Sequence, residues 1–198
     1  MIRMPFTETI SRPPETHSRP VLSGGWAVAL ALACAVFATV TLYWPGVHGS
    51  FALDDYPNIV DNPAVHLSDL RPDSLLAAAF SSHAGILGRP VSLLSFALNE
   101  YLWGPAPYSM KVTNIIIHVC NGLLVYAVAG LILLAWRNRF RPELDKSLIQ
   151  WTAVAMATAW LVLPINLTAV LYVVQRMTSL AGMFTLAGIA LYLWGRLR

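Results

Sequence analysis

Charge is what this sequence has least of. Lys, Arg, Asp and Glu make up 12% of its 198 residues, where soluble domains carry roughly a quarter. That deficit, together with long apolar runs, excludes an ordinary soluble domain. The net charge of +3 is too small to argue for nucleic acid, and the basic residues sit beside apolar runs, where membrane topology accounts for them. Cysteine is scarce too. Cys34 and Cys120 both fall inside apolar runs, which argues against a disulfide between them. The five histidines are scattered, and no zinc set, phosphate-cradling glycine loop or Ser-His-Asp arrangement is spaced along the chain. A secretory signal peptide is not expected, because the polar lead is long for such a segment and Trp44-Pro45 is a poor cleavage site.

What is present is greasy helix. A bilayer core needs roughly 20 apolar residues per helix. The runs at residues 25–44, 112–136, 148–163 and 177–194 fit, the third being short, so four spans are expected in an all-α integral membrane protein. Orientation follows the Lys and Arg count in the loops. Arg3, Arg12, Arg19, Arg137, Arg139, Arg141, Lys146, Arg196 and Arg198 lie on one side, and Arg71, Arg89, Lys111 and Arg176 on the other. Nine against four puts both termini in the cytoplasm and turns residues 45–111 and 164–176 outward. The Pro-rich stretch 1–24 is expected to be a disordered cytoplasmic tail.

The outward stretch 45–111 holds six of the ten acids: Asp54, Asp55, Asp61, Asp69, Asp73 and Glu100. Ser68 can cap a short helix running toward Phe80, with Asp69 in its first turn. Residues 89–104, with Pro90 at the first turn, read as an amphipathic helix lying in the outer interface, Tyr101 and Trp103 at the headgroup level.

Several residues carry alternative readings. Asp54 and Asp55 are adjacent acids about ten residues past the first span. They form either an ordinary solvated turn or a catalytic or metal-binding pair, since two neighbouring carboxylates repel unless a cation or proton relieves them. Such oxygen ligands suit Mg²⁺ or Mn²⁺. Asn58 and Asn62 are expected to hold the turn backbone. Arg89 is either a headgroup anchor or a clamp for a lipid phosphate. Asn114, His118 and Asn121 share one face of the second span, for interhelical hydrogen bonds or for function. Arg176, after Gln175, either snorkels at a helix end or meets an outer-leaflet phosphate. Asn166-Leu-Thr168 matches a glycosylation sequon.

Four segments together resemble a known family. FALDDYPNIVDN after the first span, GRPVSLLSFALNEYLWG, YSMKVTNIIIHVCNGLLVY and LPINLTAVLYVVQRMTSLAGMFTLAGIALYLWGR resemble, in that order, motifs of the GT-C membrane glycosyltransferases. The nearest group is the TPR-containing O-mannosyltransferase-like (TMTC-like) family, and the wording is closest to its bacterial members. The resemblance implies an enzyme of the bacterial inner membrane that moves a sugar, with inversion, from a polyprenyl-phosphate donor to an outer-face acceptor. It implies Asp54 and Asp55 as acids that hold a metal or activate the acceptor, Arg89 and Arg176 at the lipid phosphate, and a polar second span at Asn114, His118 and Asn121. Two features depart from it. Leu163-Pro164 stands where the family has His-Pro. The family also has many more spans and then tetratricopeptide repeats, whereas no repeat of about 34 residues is visible here. The chain therefore reads as an N-terminal part, completed downstream or by a second chain. The alternatives are a non-catalytic membrane scaffold derived from that fold and a transport subunit.

Overall fold

Backbone in a bilayer has no water to bond to, so a chain this apolar has to pair its N–H and C=O groups internally. The computed structural model, which describes residues 24–82 and 88–198, does so with helices, and no strand occurs among the described residues. The expected tail at residues 1–23 lies outside them. α1 runs Gly24–Tyr43, α2 Pro72–Ala79, α3 Pro90–Trp103, α4 Pro107–Phe140, α5 Lys146–Val162, α6 Leu167–Leu171 and α7 Arg176–Leu197. α4 is the axis of the fold. α5 and α7 pack along it, and α1 leans mainly on α5.

Among the described residues three stretches are long and apolar enough to cross a membrane: Gly25–His48, Pro107–Phe140 and Val173–Leu197. α1 has almost no polar surface. The hydroxyls of Thr39 and Thr41 fold back onto the carbonyls of Ala35 (2.8 Å) and Phe37 (2.9 Å), hiding the donors from the apolar surroundings. Only 11% of the most apolar window of the Val173–Leu197 stretch is covered by protein. An apolar helix left this bare is the build of a membrane protein.

The expected span at 148–163 takes a different form. α5 has 17 residues, and the chain bends by 49° into Pro164–Leu171. Pro164 has no N–H to continue the ladder and drives the residue before it out of helical geometry; Leu163 has ψ 125°. The freed carbonyls find side chains instead. Trp160 O accepts from Asn166 Nδ2 (2.8 Å) and Leu161 O bonds His118 Nε2 (2.9 Å). The amide of the sequon residue Asn166 is thus a helix cap.

Residues 49–82 and 88–106 are packed rather than looped. Ile59, Val65, Ala78, Leu93, Phe96 and Ala97 form one core with Met110 of α4 and with Val173, Val174 and Met177. α3 starts at Pro90 as expected and leaves Tyr101, Leu102 and Trp103 exposed. α2 begins later than expected. Ser68 does not cap it; Pro72 sets the first turn behind an extended Arg71, and Asp69 binds the Arg71 and Ser74 side chains. Asn58 and Asn62 hold turn backbone, donating to Asp54 O (2.8 Å) and Asn58 O (3.3 Å).

α4 and α5 meet closely at Gly122, where an added Cβ would lie 2.3 Å from Leu161 Cδ2. Leu161 is itself buried and has little room to yield. Gly122→Val is therefore expected to destabilise the fold by about 1–3 kcal/mol, read as a lower midpoint of thermal unfolding in detergent. An unchanged midpoint would show that α4 and α5 do not pack here.

Candidate functional site

The short stretch 172–177, between the bent helix pair and α7, is where the expected site residues converge. Two one-turn segments, Val173–Gln175 and then the start of α7, present backbone groups that a regular helix would have used internally. Asp55 Oδ1 accepts from Val174 N (2.7 Å), and its Oδ2 accepts from Ala52 N (3.0 Å). Asp54 N donates to the Tyr172 hydroxyl (2.8 Å). Asn114 Nδ2 donates to Val173 O (3.3 Å). Arg89 Nη1 lies 3.1 Å from Met177 Sδ.

The two aspartates part company. Asp55 is buried, with 1% of its surface exposed, and Asp54 is exposed. The two carboxylates therefore sit in different surroundings. A hard cation takes about six oxygen ligands, and among the described residues no three His, Cys, Asp or Glu gather to hold one.

Asp55 lines a pocket of about 310 Å³ with Ser50, Lys111, Thr168, Leu171 and Tyr172. Burial pushes its carboxyl above the ordinary aspartate range, while the amides of Ala52 and Val174 and the charge of Lys111 pull part of the way back. Each carboxylate oxygen keeps a second lone pair beyond its amide bond. At the pocket edge Leu53 sits at φ 42°, a left-handed backbone that a non-glycine residue adopts at a cost.

Lys111 and Tyr172 were not among the expected site residues. Lys111 donates to Gly49 O (2.9 Å), Ser50 O (3.3 Å) and Gly46 O (3.5 Å), tying the end of the first span to α4. Its signal was in the sequence: it stands three residues before Asn114 and seven before His118, one turn further along the same helical face. Tyr172 carried no such mark.

The remaining expected residues hold the structure together. Arg176 is fully buried. Its Nε donates to Asn114 Oδ1 (2.8 Å), Nη1 to Ser95 O (3.0 Å), and Nη2 to Asn99 Oδ1 (2.8 Å) and Met110 O (2.9 Å), with the Phe96 ring 4.5 Å away. The sequence reading offered Arg176 to a lipid phosphate, but here protein acceptors surround the guanidinium and no surface of it is left for a ligand. His118 holds Leu161 O and stacks on Trp160 (4.8 Å). Asn121 Nδ2 donates to Ser179 O (2.9 Å). The polar face of α4 thus makes interhelical bonds, with Asn121 Oδ1 left buried without a partner among the described residues. Arg89 differs. It is exposed, sits at φ 46°, and among the described residues has the Met177 thioether as its side-chain partner. It also borders a groove of about 180 Å³ lined by Leu180, Ala181 and Phe184 of α7.

No protein-family model matches this chain, and no match was found among curated proteins or solved structures.

His66 gives the site's support a pH dependence. Its Nδ1 pairs with Glu100 of α3 and its Nε2 with Val60 O (3.0 Å). The Glu100 bond raises the imidazole pKa above its ordinary value, against the opposing effect of burial. The folded state therefore holds the proton more tightly than the unfolded one. The stabilisation is complete below the unfolded value of about 6.5 and is lost as pH rises through the raised folded value. Wild-type protein is expected to unfold at a higher temperature at pH 5.5 than His66→Gln, and the gap should close by pH 8.5. A gap that stays constant with pH would contradict the pairing.

Proposed function

We propose that this chain is the N-terminal module of a GT-C-type membrane glycosyltransferase, with the pocket over Asp55 receiving an acceptor hydroxyl and Arg89 meeting the phosphate of a polyprenyl-phosphate sugar. The observation that carries this reading is the convergence on residues 172–177. The pocket acid bonds Val174 and the exposed Arg89 guanidinium contacts Met177, so acceptor and donor groups would meet beside one turn. In the proposed topology the bent pair Lys146–Val162 and Pro164–Leu171 is a fourth, broken span. Both termini are cytoplasmic, and residues 45–111 face outward from a bacterial inner membrane. Further spans, downstream or on a second chain, complete the donor site.

The chemistry follows from the groups. The lipid tail stays in the bilayer along the α7 groove, and the phosphate lies at headgroup height against Arg89, whose planar fork suits it. The acceptor oxygen attacks the anomeric carbon from the face opposite the phosphate. The carbon–oxygen bond to phosphate breaks with inversion, and the hydroxyl proton passes to Asp55. A carboxylate raised by burial is a stronger base than one in water. Asp54, exposed at the rim, has an accessory place, and no step is assigned to a divalent cation.

A second reading has an observation of its own. Both Asp55 oxygens are already held by backbone amides, which suits a non-catalytic scaffold that kept the fold. Transfer of labelled sugar from a polyprenyl-phosphate donor by membranes containing the chain separates the two. Asp55→Asn is expected to lower transfer by about 10²–10⁴-fold, with Asp54→Asn close to wild type. Wild-type transfer should fall as pH drops through the raised Asp55 value. Full activity in Asp55→Asn at equal protein level would remove Asp55 from the chemistry, and absence of wild-type transfer would favour the scaffold.

A further inference from the structure

The far end of α4 carries a feature that the glycosyl-transfer reading does not use. α4 is 34 residues long, so Lys111 at one end and Arg137 at the other are about 39 Å apart at 1.5 Å per residue, more than a bilayer's hydrocarbon core. Near the Arg137 end a groove of about 380 Å³ opens between α4 and α5. It is walled by Leu131, Leu134 and Ile149 over a floor of Gly130 and Ala153, with Lys146 on its rim. The dent exists because small residues face each other there: a Cβ built on Gly130 meets only Ala153 Cβ, at 3.8 Å.

The rim is basic and partly uncommitted. Arg137 follows Gly130 and Leu134 on the same helical face, seven and three residues on. It holds the turn after α4 together, donating to Leu144 O (2.6 Å) and Pro142 O (2.8 Å). The two nearby acids are engaged: Glu143 faces Arg141 at 3.5 Å, and Asp145 accepts from Ser147 N (3.1 Å) at the start of α5. The Lys146 ammonium makes no hydrogen bond or ion pair with the described residues. An apolar slot running about 12 Å along the helices, with an unpaired ammonium at its mouth, is complementary to a molecule with an acyl chain and an anionic head. A second copy of the chain is a poorer occupant, since it would bring two basic rims together.

We propose that this groove binds one acyl chain of an anionic phospholipid, with the lipid phosphate against Lys146 at the start of α5. Basic recesses between membrane helices recognise anionic headgroups in this way. The site stands apart from the Asp55 pocket and does not depend on what that pocket does.

The test uses the full chain reconstituted in vesicles of equal phosphatidylglycerol and phosphatidylcholine, re-extracted in mild detergent, with bound lipid counted by native mass spectrometry. Phosphatidylglycerol is expected to be retained over phosphatidylcholine. Lys146→Gln should cut that preference about fivefold, the effect of one basic residue at a lipid surface. Gly130→Leu, which fills the slot, should lower retention of bound lipid, with thermal unfolding confirming that the variant is folded. Should Gly130→Leu fail to fold, the Lys146→Gln result decides. Equal retention of the two lipids, a preference indifferent to Lys146→Gln, or a lipid-free dimer would overturn the proposal.

Discussion

The end of the bundle that carries residues 172–177 depends on one buried cation. Arg176 is enclosed with no carboxylate in contact among the described residues, so its charge is met by oriented neutral groups: the Asn114 and Asn99 side-chain oxygens, the Ser95 and Met110 carbonyls and the face of Phe96. Desolvating a guanidinium is costly, and only a nearly complete set of acceptors offsets it. That set draws on α3 and α4, while the arginine itself opens α7. Three helices are thereby fixed to one another by a single planar fork. A lysine in its place would offer three donors in a different geometry and could not span the same acceptors.

The same constraint positions everything the proposed chemistry uses. Pro164 breaks the ladder after α5, and the chain does not return to a long helix until Arg176. Irregular backbone at membrane depth is tolerated only where protein satisfies it. Here α4 does so from one face, with Asn114, His118 and Asn121 bonding Val173, Leu161 and Ser179 in turn. In that stretch Val174 N donates to Asp55, and the Tyr172 hydroxyl accepts from the backbone of Asp54. The site is therefore a by-product of how a broken segment is made whole.

Much of this was legible in the sequence, for physical reasons. The apolar runs behind α1, α4 and α7 are long enough that only a membrane explains them. Pro164 marks a break, and Asn114, His118 and Asn121 fall on one face by helical spacing alone. The bend after α5 was not legible, because hydropathy measures composition and not direction. The start of α2 was misplaced because Ser68 is a good cap in isolation, while Pro72 decides the first turn. The role of Arg176 was the hardest to see. An arginine beside a helix end suits a phosphate or a protein interior equally well, and its partners lie 62 to 81 residues away in sequence.

The most direct test of the account is a double-mutant cycle between Arg176 and Asn114, read as unfolding stability in detergent. If the guanidinium and the Asn114 amide share one network, Arg176→Gln and Asn114→Ala should each destabilise the chain. Their combination should then cost less than the sum by about 1 kcal/mol or more, as coupled neighbours do. Strictly additive losses, or an Arg176→Gln variant as stable as the wild type, would contradict it.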